Sequence, residues 1–130
     1  MRALRLLAGP RARERIARDG LRAEAVAGVA AAAGGPKGLA VLPLDAWMVG
    51  EWLPSAPRPR PLVGASIGAR RRAAPAHPDG AAATRRLGEA YLELQRYPMS
   101  PSTRLVARTC RAIVEATLDG AARFVEGARA

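Results

Sequence analysis

One stretch limits what this chain can fold into more than any other: Gly64-Ala65-Ser66-Ile67-Gly68. An apolar run, Pro61-Leu62-Val63, comes before it, and an Arg/Ala-rich run able to start a helix comes after. That order predicts a strand, a sharp turn and a helix, with the serine at the apex. A nucleophile elbow has this form. Glycines two residues either side of the serine remove Cβ atoms where the backbone doubles back, and the turn strains the serine's own φ/ψ. The hydroxyl is then held at a helix N-terminus, where developing negative charge is favoured. The same letters also describe a plain small-residue turn, which a chain rich in Gly and Ala can produce by chance.

A second glycine motif precedes the first. The run Ala25-Val26-Ala27-Gly28-Val29-Ala30-Ala31-Ala32 is continuously apolar and predicts a strand buried on both faces, as in a parallel sheet. It leads into Gly34-Gly35-Pro36-Lys37-Gly38, after which the apolar residues from Leu39 to Leu53 predict a buried helix with Pro43 in or near its first turn. As a phosphate loop the motif is poor, because Leu39 sits where a Ser or Thr hydroxyl would be needed. As a dinucleotide fingerprint it fails, because Ala33 occupies the first glycine position. As an oxyanion hole it makes sense: glycines let backbone N–H groups converge on one point beside a helix N-terminus. Pro36 has no N–H, so the donors are among Gly34, Gly35, Lys37 and Gly38, with Ile67 after the serine as a further candidate. Lys37 is the only lysine in the chain, and reads either as a chemical group or as a solvated loop residue.

Together the two motifs imply a parallel β-α-β core, an α/β fold with flanking helices, with both glycine turns at the edge where ligands of such folds bind. A G-G-x-K-G loop before a helix, followed by G-x-S-x-G after a strand, resembles the patatin-like phospholipase family. Leu44-Asp45, Gly50-Glu51-Trp52-Leu53 and Gly68-Ala69-Arg70-Arg71 resemble a bacterial branch of it. The resemblance spans roughly residues 20 to 95. It implies a serine lipid acyl hydrolase with a Ser-Asp dyad: Ser66 as nucleophile, Gly64 and Gly68 shaping the elbow, and Gly34, Gly35, Lys37 and Gly38 as the oxyanion loop. It implies a lipid or small ester as substrate and no cofactor. Ala33 and Pro36 depart from the family pattern. The dyad aspartate belongs to an Asp-Gly-Gly or Asp-Gly-Ala motif that family members place much further downstream. Asp79-Gly80-Ala81 is too near the elbow, and Asp119-Gly120-Ala121 lies in an amphipathic helical run, so Asp119 is the weak in-chain candidate. The expectation is therefore that residues 1–130 are the N-terminal part of a single patatin-like domain, an incomplete fold that as an isolated chain folds poorly, associates or hydrolyses little.

The remainder reads as helix. Pro10 to Arg18 predicts a surface helix closed by Gly20, and Pro54 to Pro61 an exposed loop. The second strand is expected over Pro61 to Ala65 and the elbow helix from Ile67 to Ala74. Ala82 to Gln95 predicts an amphipathic helix through Leu87, Tyr91 and Leu94. Ser100 or Ser102 is placed to cap a last helix through Leu105, Ile113 and Leu118, with a break at Gly120.

Composition narrows the function. Aromatics are only 4%, so large core side chains are scarce. The formal net charge of +10 comes almost wholly from arginine. Dispersed arginines without interleaved aromatics argue against a specific nucleic-acid binder and leave attraction to an anionic membrane surface as a secondary effect. Cys110 and His77 are each the only one of their kind, which excludes an intramolecular disulfide and a thiolate metal cluster. His77 follows the elbow helix too closely to be a convincing base. The N-terminal apolar stretch is too short for a signal peptide, so a cytoplasmic location, free or peripheral to a membrane, is expected. The rival reading is a non-catalytic nucleotide- or phosphate-binding β-α-β module; oligomeric state is not readable.

Overall fold

The computed structural model describes residues 5–119. The fold is mixed, mostly helical, with a small parallel sheet. In chain order come α1 (Pro10–Asp19), β1 (Val29–Ala31), α2 (Leu42–Trp47), β2 (Leu62–Gly64), α3 (Ile67–Ala73), α4 (Gly80–Leu94) and α5 (Thr103–Leu118). The strands pair in parallel, with Val29 opposite Leu62, Ala30 opposite Val63 and Ala31 opposite Gly64. This is the β-α-β order expected from the two glycine motifs.

The strands are shorter than their apolar runs. β1 covers three residues of the expected eight, and Ala23–Ala25 form a 3-10 turn instead. Arg60 holds the chain just before the strand: its guanidinium donates to the carbonyls of Val26 at 3.0 Å, Ala23 at 3.0 Å and Ala56 at 2.7 Å, and of these only Val26 lies in the expected strand. Nor is β1 buried on both faces. Ala31 is buried, but Ala30 and its register partner Val63 are exposed.

The stretch after the first glycine motif is not one helix. A 3-10 helix, Gly35–Val41, leads into α2, whose first turn holds Pro43 as expected; a π-helical turn, Met48–Trp52, and a 3-10 turn, Leu53–Ser55, follow. Leu44 and Trp47 face solvent, contrary to a fully buried helix. Trp47 stacks on Trp52 with ring centroids 5.6 Å apart.

The later helices start where their caps dictate. Asp79 Oδ1 accepts from the Ala82 N–H at 2.8 Å and opens α4, and Ser102 Oγ accepts from the Leu105 N–H at 3.2 Å and opens α5. Such caps contribute about 1 kcal/mol each. The expected break at Gly120 lies outside the described residues. α1, bounded by Pro10 and Gly20, buries none of its residues, as its arginines implied.

The core is one cluster: Leu42 of α2, Ile67 of α3, Leu87, Ala90 and Tyr91 of α4, and Ile113 of α5, with Leu39 packed against it. Gly88 lets α4 approach α2, because a Cβ there would lie 2.9 Å from Leu42 Cδ1. With so few large side chains enclosed, each matters. Leu87→Ala is expected to cost about 2–5 kcal/mol in urea unfolding, since Leu87 is fully buried. A loss under about 1 kcal/mol would contradict this core.

Candidate active site

Ser66 stands at the N-terminus of α3 with φ 54° and ψ −125°, and is exposed. Among the described non-glycine residues only Ser66 and Asp119 have positive φ. Such a backbone costs about 1–3 kcal/mol and persists only where the surroundings enforce it. Here the enforcement is steric. A Cβ on Gly64 would collide with the Gly68 carbonyl and lie 2.6 Å from the Ala69 nitrogen; a Cβ on Gly68 would collide with the Ala31 carbonyl oxygen and lie 2.7 Å from that of Ala32. The Gly68 N–H closes the turn on the Ala65 carbonyl at 2.9 Å, and the Ser66 carbonyl accepts from the Ala69 N–H at 3.0 Å. The strand–turn–helix read from the pentapeptide is thus present, with the serine at its apex.

The contact between Gly68 and the end of β1 brings the two glycine motifs together, because the chain runs from Ala32 almost directly into Gly34. They touch a second time at Gly38, which is buried, where a Cβ would lie 3.0 Å from Cγ1 and Cγ2 of Ile67. Ile67 itself is 1% exposed and anchors the elbow in the core. Gly35 has φ 55°, a left-handed turn that suits glycine.

The 3-10 helix sorts the candidate donors. It begins after Gly34, so the N–H groups of Lys37 and Gly38 have carbonyl partners within its own i to i+3 ladder. Pro36 has no N–H and occupies a position where none is used. Gly34 and Gly35 are left as the loop amides that the helix does not consume, and the Ile67 N–H, in the first turn of α3, is likewise outside that helix's own ladder. The Lys37 side chain belongs to an exposed residue.

Neither candidate aspartate is joined to the elbow by a described hydrogen bond. Asp119 ends α5 in a left-handed conformation, its N–H bonded to the Glu115 carbonyl at 2.9 Å. Its neighbour Thr117 gives its carbonyl to Arg86 of α4, and no described side-chain hydrogen bond joins Asp119 to the elbow. Asp79 caps α4, and His77 Nδ1 accepts from the Asp79 N–H at 2.9 Å in the same turn. Among the described residues no group of three or more His, Cys, Asp or Glu is placed to hold a metal.

A residue without a role in the sequence reading positions the site. Asp45 of α2 is 3% exposed and accepts from Arg71 Nε at 2.6 Å, from Arg71 Nη2 at 3.1 Å and from Arg72 Nη2. It fastens the helix after the glycine loop to the helix after the serine. Arg72 Nε and Nη1 are buried with no hydrogen-bond partner among the described residues, so the cluster carries a desolvation cost as well as an attraction. The one signal in the sequence was its chemistry: a lone acid on α2 and three adjacent arginines, Arg70 to Arg72, on the elbow helix.

Comparison with known proteins found no matching family model, no matching curated protein and no matching solved structure.

Asp45→Ala leaves the buried Arg72 and the half-buried Arg71 without their carboxylate and is expected to cost about 3–5 kcal/mol in chemical denaturation. Asp19→Ala, which breaks the exposed pair with Arg18, leaves the unfolding midpoint unchanged. Ser66→Gly relieves the positive φ and raises stability by about 1 kcal/mol, net of the greater freedom of glycine in the unfolded chain. A Ser66→Gly protein that melts below wild type would show that the turn is not strained.

Proposed function

We propose that this chain carries the nucleophile and oxyanion elements of a serine acyl hydrolase acting on lipid or small carboxylic esters. The observation that carries the reading is Ser66 held exposed at a positive φ at the N-terminus of α3, with its neighbours Ile67 and Gly68 packed on Gly38 and on the end of β1. A serine kept in a backbone conformation that glycine would adopt more cheaply is what an elbow nucleophile requires.

In this reading the Ser66 Oγ attacks the ester carbonyl carbon. An Oγ–C bond forms, the carbonyl π pair moves onto oxygen, and the hydroxyl proton leaves to a base. The oxyanion is met by the amides of Gly34 and Gly35, with that of Ile67 across from them and the α3 N-terminus adding positive potential. Collapse breaks the bond to the alkoxide, which takes up a proton. Water then attacks the acyl-Ser66 carbonyl, and the acid is released with Ser66 restored. The resemblance assigns the base to an aspartate. Asp79 is used as the cap of α4 and Asp119 has no described bond to the elbow, so the reading rests on the serine and the amides.

Labelling with a fluorophosphonate, which phosphonylates an activated serine, tests it. Wild type is expected to label and Ser66→Ala not to. Gly35→Ala, which strains the loop at its left-handed residue, is expected to slow labelling at least tenfold. Equal labelling of wild type and Ser66→Ala would reject the nucleophile. Calorimetric titration with nucleotide separates the rival: binding lost on changing Gly35 but kept in Ser66→Ala would favour an anion-binding loop.

A further inference from the structure

We infer that the concavity between α1 and residues 21–26 is a binding site for a long-chain carboxylic acid, with the carboxylate on arginine and the chain against the apolar walls. The inference does not rest on the acyl-hydrolase reading, although a lipid ester cut at its carbonyl would release an acid of this kind. The concavity has a volume of about 300 Å³, at the lower end of ligand clefts. Arg11, Arg15 and Arg22 line it together with Ile16, Leu21 and Val26, so charge and apolar surface share one hollow.

The two walls differ. Residues 21–26 are fixed to the body of the fold, because Arg60 donates to the carbonyls of Ala23 and Val26. α1 ends at Gly20, whose φ is 77°, and buries none of its 10 residues. A helix this short is marginal in water by itself, because most helical stability comes from packing. An alkyl chain seated between Ile16 and Val26 supplies packing that α1 lacks. Charge favours the same occupant. Arg11 and Arg15 are exposed and four residues apart on α1, where like charges repel, and an anion between them relieves the repulsion. The nearby Asp19 is bonded instead to Arg18, at 2.9 Å through each carboxylate oxygen. Arg22 Nε donates to the Asp19 carbonyl at 2.7 Å, which steadies the guanidinium while its terminal nitrogens remain donors. Asp19 and Glu24 line an adjoining hollow with Arg15 and Arg22, but not this one. A carboxylate takes charge-assisted, bidentate hydrogen bonds from guanidinium groups. Free phosphate or RNA would engage the arginines as well, but has no use for Ile16, Leu21 and Val26. A bilayer suits the site less, because these apolar side chains line a hollow rather than a flat face.

Calorimetric titration of the 130-residue chain with laurate, held below its micelle-forming concentration, tests the site. The expected result is saturable binding of a single laurate per chain. Acetate, inorganic phosphate and dodecanol are each expected to bind at least tenfold more weakly, because each lacks either the chain or the charge. Two double variants, Arg11→Gln with Arg15→Gln and Ile16→Ser with Leu21→Ser, are each expected to lose at least tenfold in affinity for laurate. None of these four residues belongs to the core cluster, and circular dichroism checks the fold. Arg104→Gln with Arg108→Gln removes the same charge from α5 and is expected to bind as wild type, as is Ser66→Ala. Amide hydrogen exchange across α1 is expected to slow when laurate binds. Dodecanol or phosphate binding as tightly as laurate, wild-type affinity in either site variant, an equal loss in the Arg104 and Arg108 variant, or α1 exchange unchanged at saturation would overturn the inference. Flotation on phosphatidylserine vesicles without binding of free laurate would point to a bilayer and overturn it too. Laurate binding by a chain whose Ser66 does not react with fluorophosphonate would support the site and reject the hydrolase; a reactive Ser66 without laurate binding would do the reverse.

Discussion

A single buried carboxylate holds the two halves of the candidate site in one arrangement. Asp45 sits on the helix that follows the glycine loop, and both of its partners sit on the helix that follows Ser66. Neither helix is long, and the sheet beneath them has two strands of three residues each. Backbone pairing of that extent is weak by itself. The ion cluster and the seating of Ile67 among Leu42, Leu87, Tyr91 and Ile113 supply what the sheet cannot. Taking three charges out of water is costly, and the orphaned nitrogens of Arg72 mark that cost. What the cluster gives in return is direction: a bidentate fork fixes the roll of α3 relative to α2, which apolar packing alone leaves freer.

Parts of this fold were legible because the signal was local. The elbow could be read from two glycines and a serine, since a tight turn needs specific residues at specific offsets. The start of α5 was legible because Ser102, one of two serines placed to cap it, does so, whereas α4 opens two residues before the expected Ala82 on a cap from Asp79 that was not read; Leu87 and Tyr91 are buried as their spacing implied, but Leu94, expected on the same face, is 40% exposed. What could not be read depended on partners far away in the chain. The alanine-rich run before the glycine loop contains nothing to say where strand pairing begins, and the bond from Arg60 to the Val26 carbonyl just before the ladder comes from 34 residues away. Arg71 and Arg72 look like two more solvated arginines in a chain full of them. Leu39 to Leu53 read as one helix because it is mostly apolar, yet α2 is only its central part and a π-helical turn carries the chain past Gly50.

Arg70 joins the elbow helix to both members of the α4–α5 hairpin: its guanidinium lies over the Tyr91 ring and donates to Cys110 Sγ. Ile67, the residue after the serine, is buried among core residues of the same two helices. The turn that carries Ser66 is thus tied to the hairpin by a polar and an apolar contact, which suits a group that must be held in one orientation.

The seat of Gly68 on the carbonyls of Ala31 and Ala32 also answers a question that the side chains cannot. Strands this short, one of them almost all alanine, have little alternation to tell the correct alignment from a neighbouring one. Sliding β2 by one step along β1 would carry the glycine off the carbonyls and bring a residue with a Cβ over them. Misalignment is therefore rejected by collision, and the glycine needed for the elbow also proofreads the pairing on which the elbow stands.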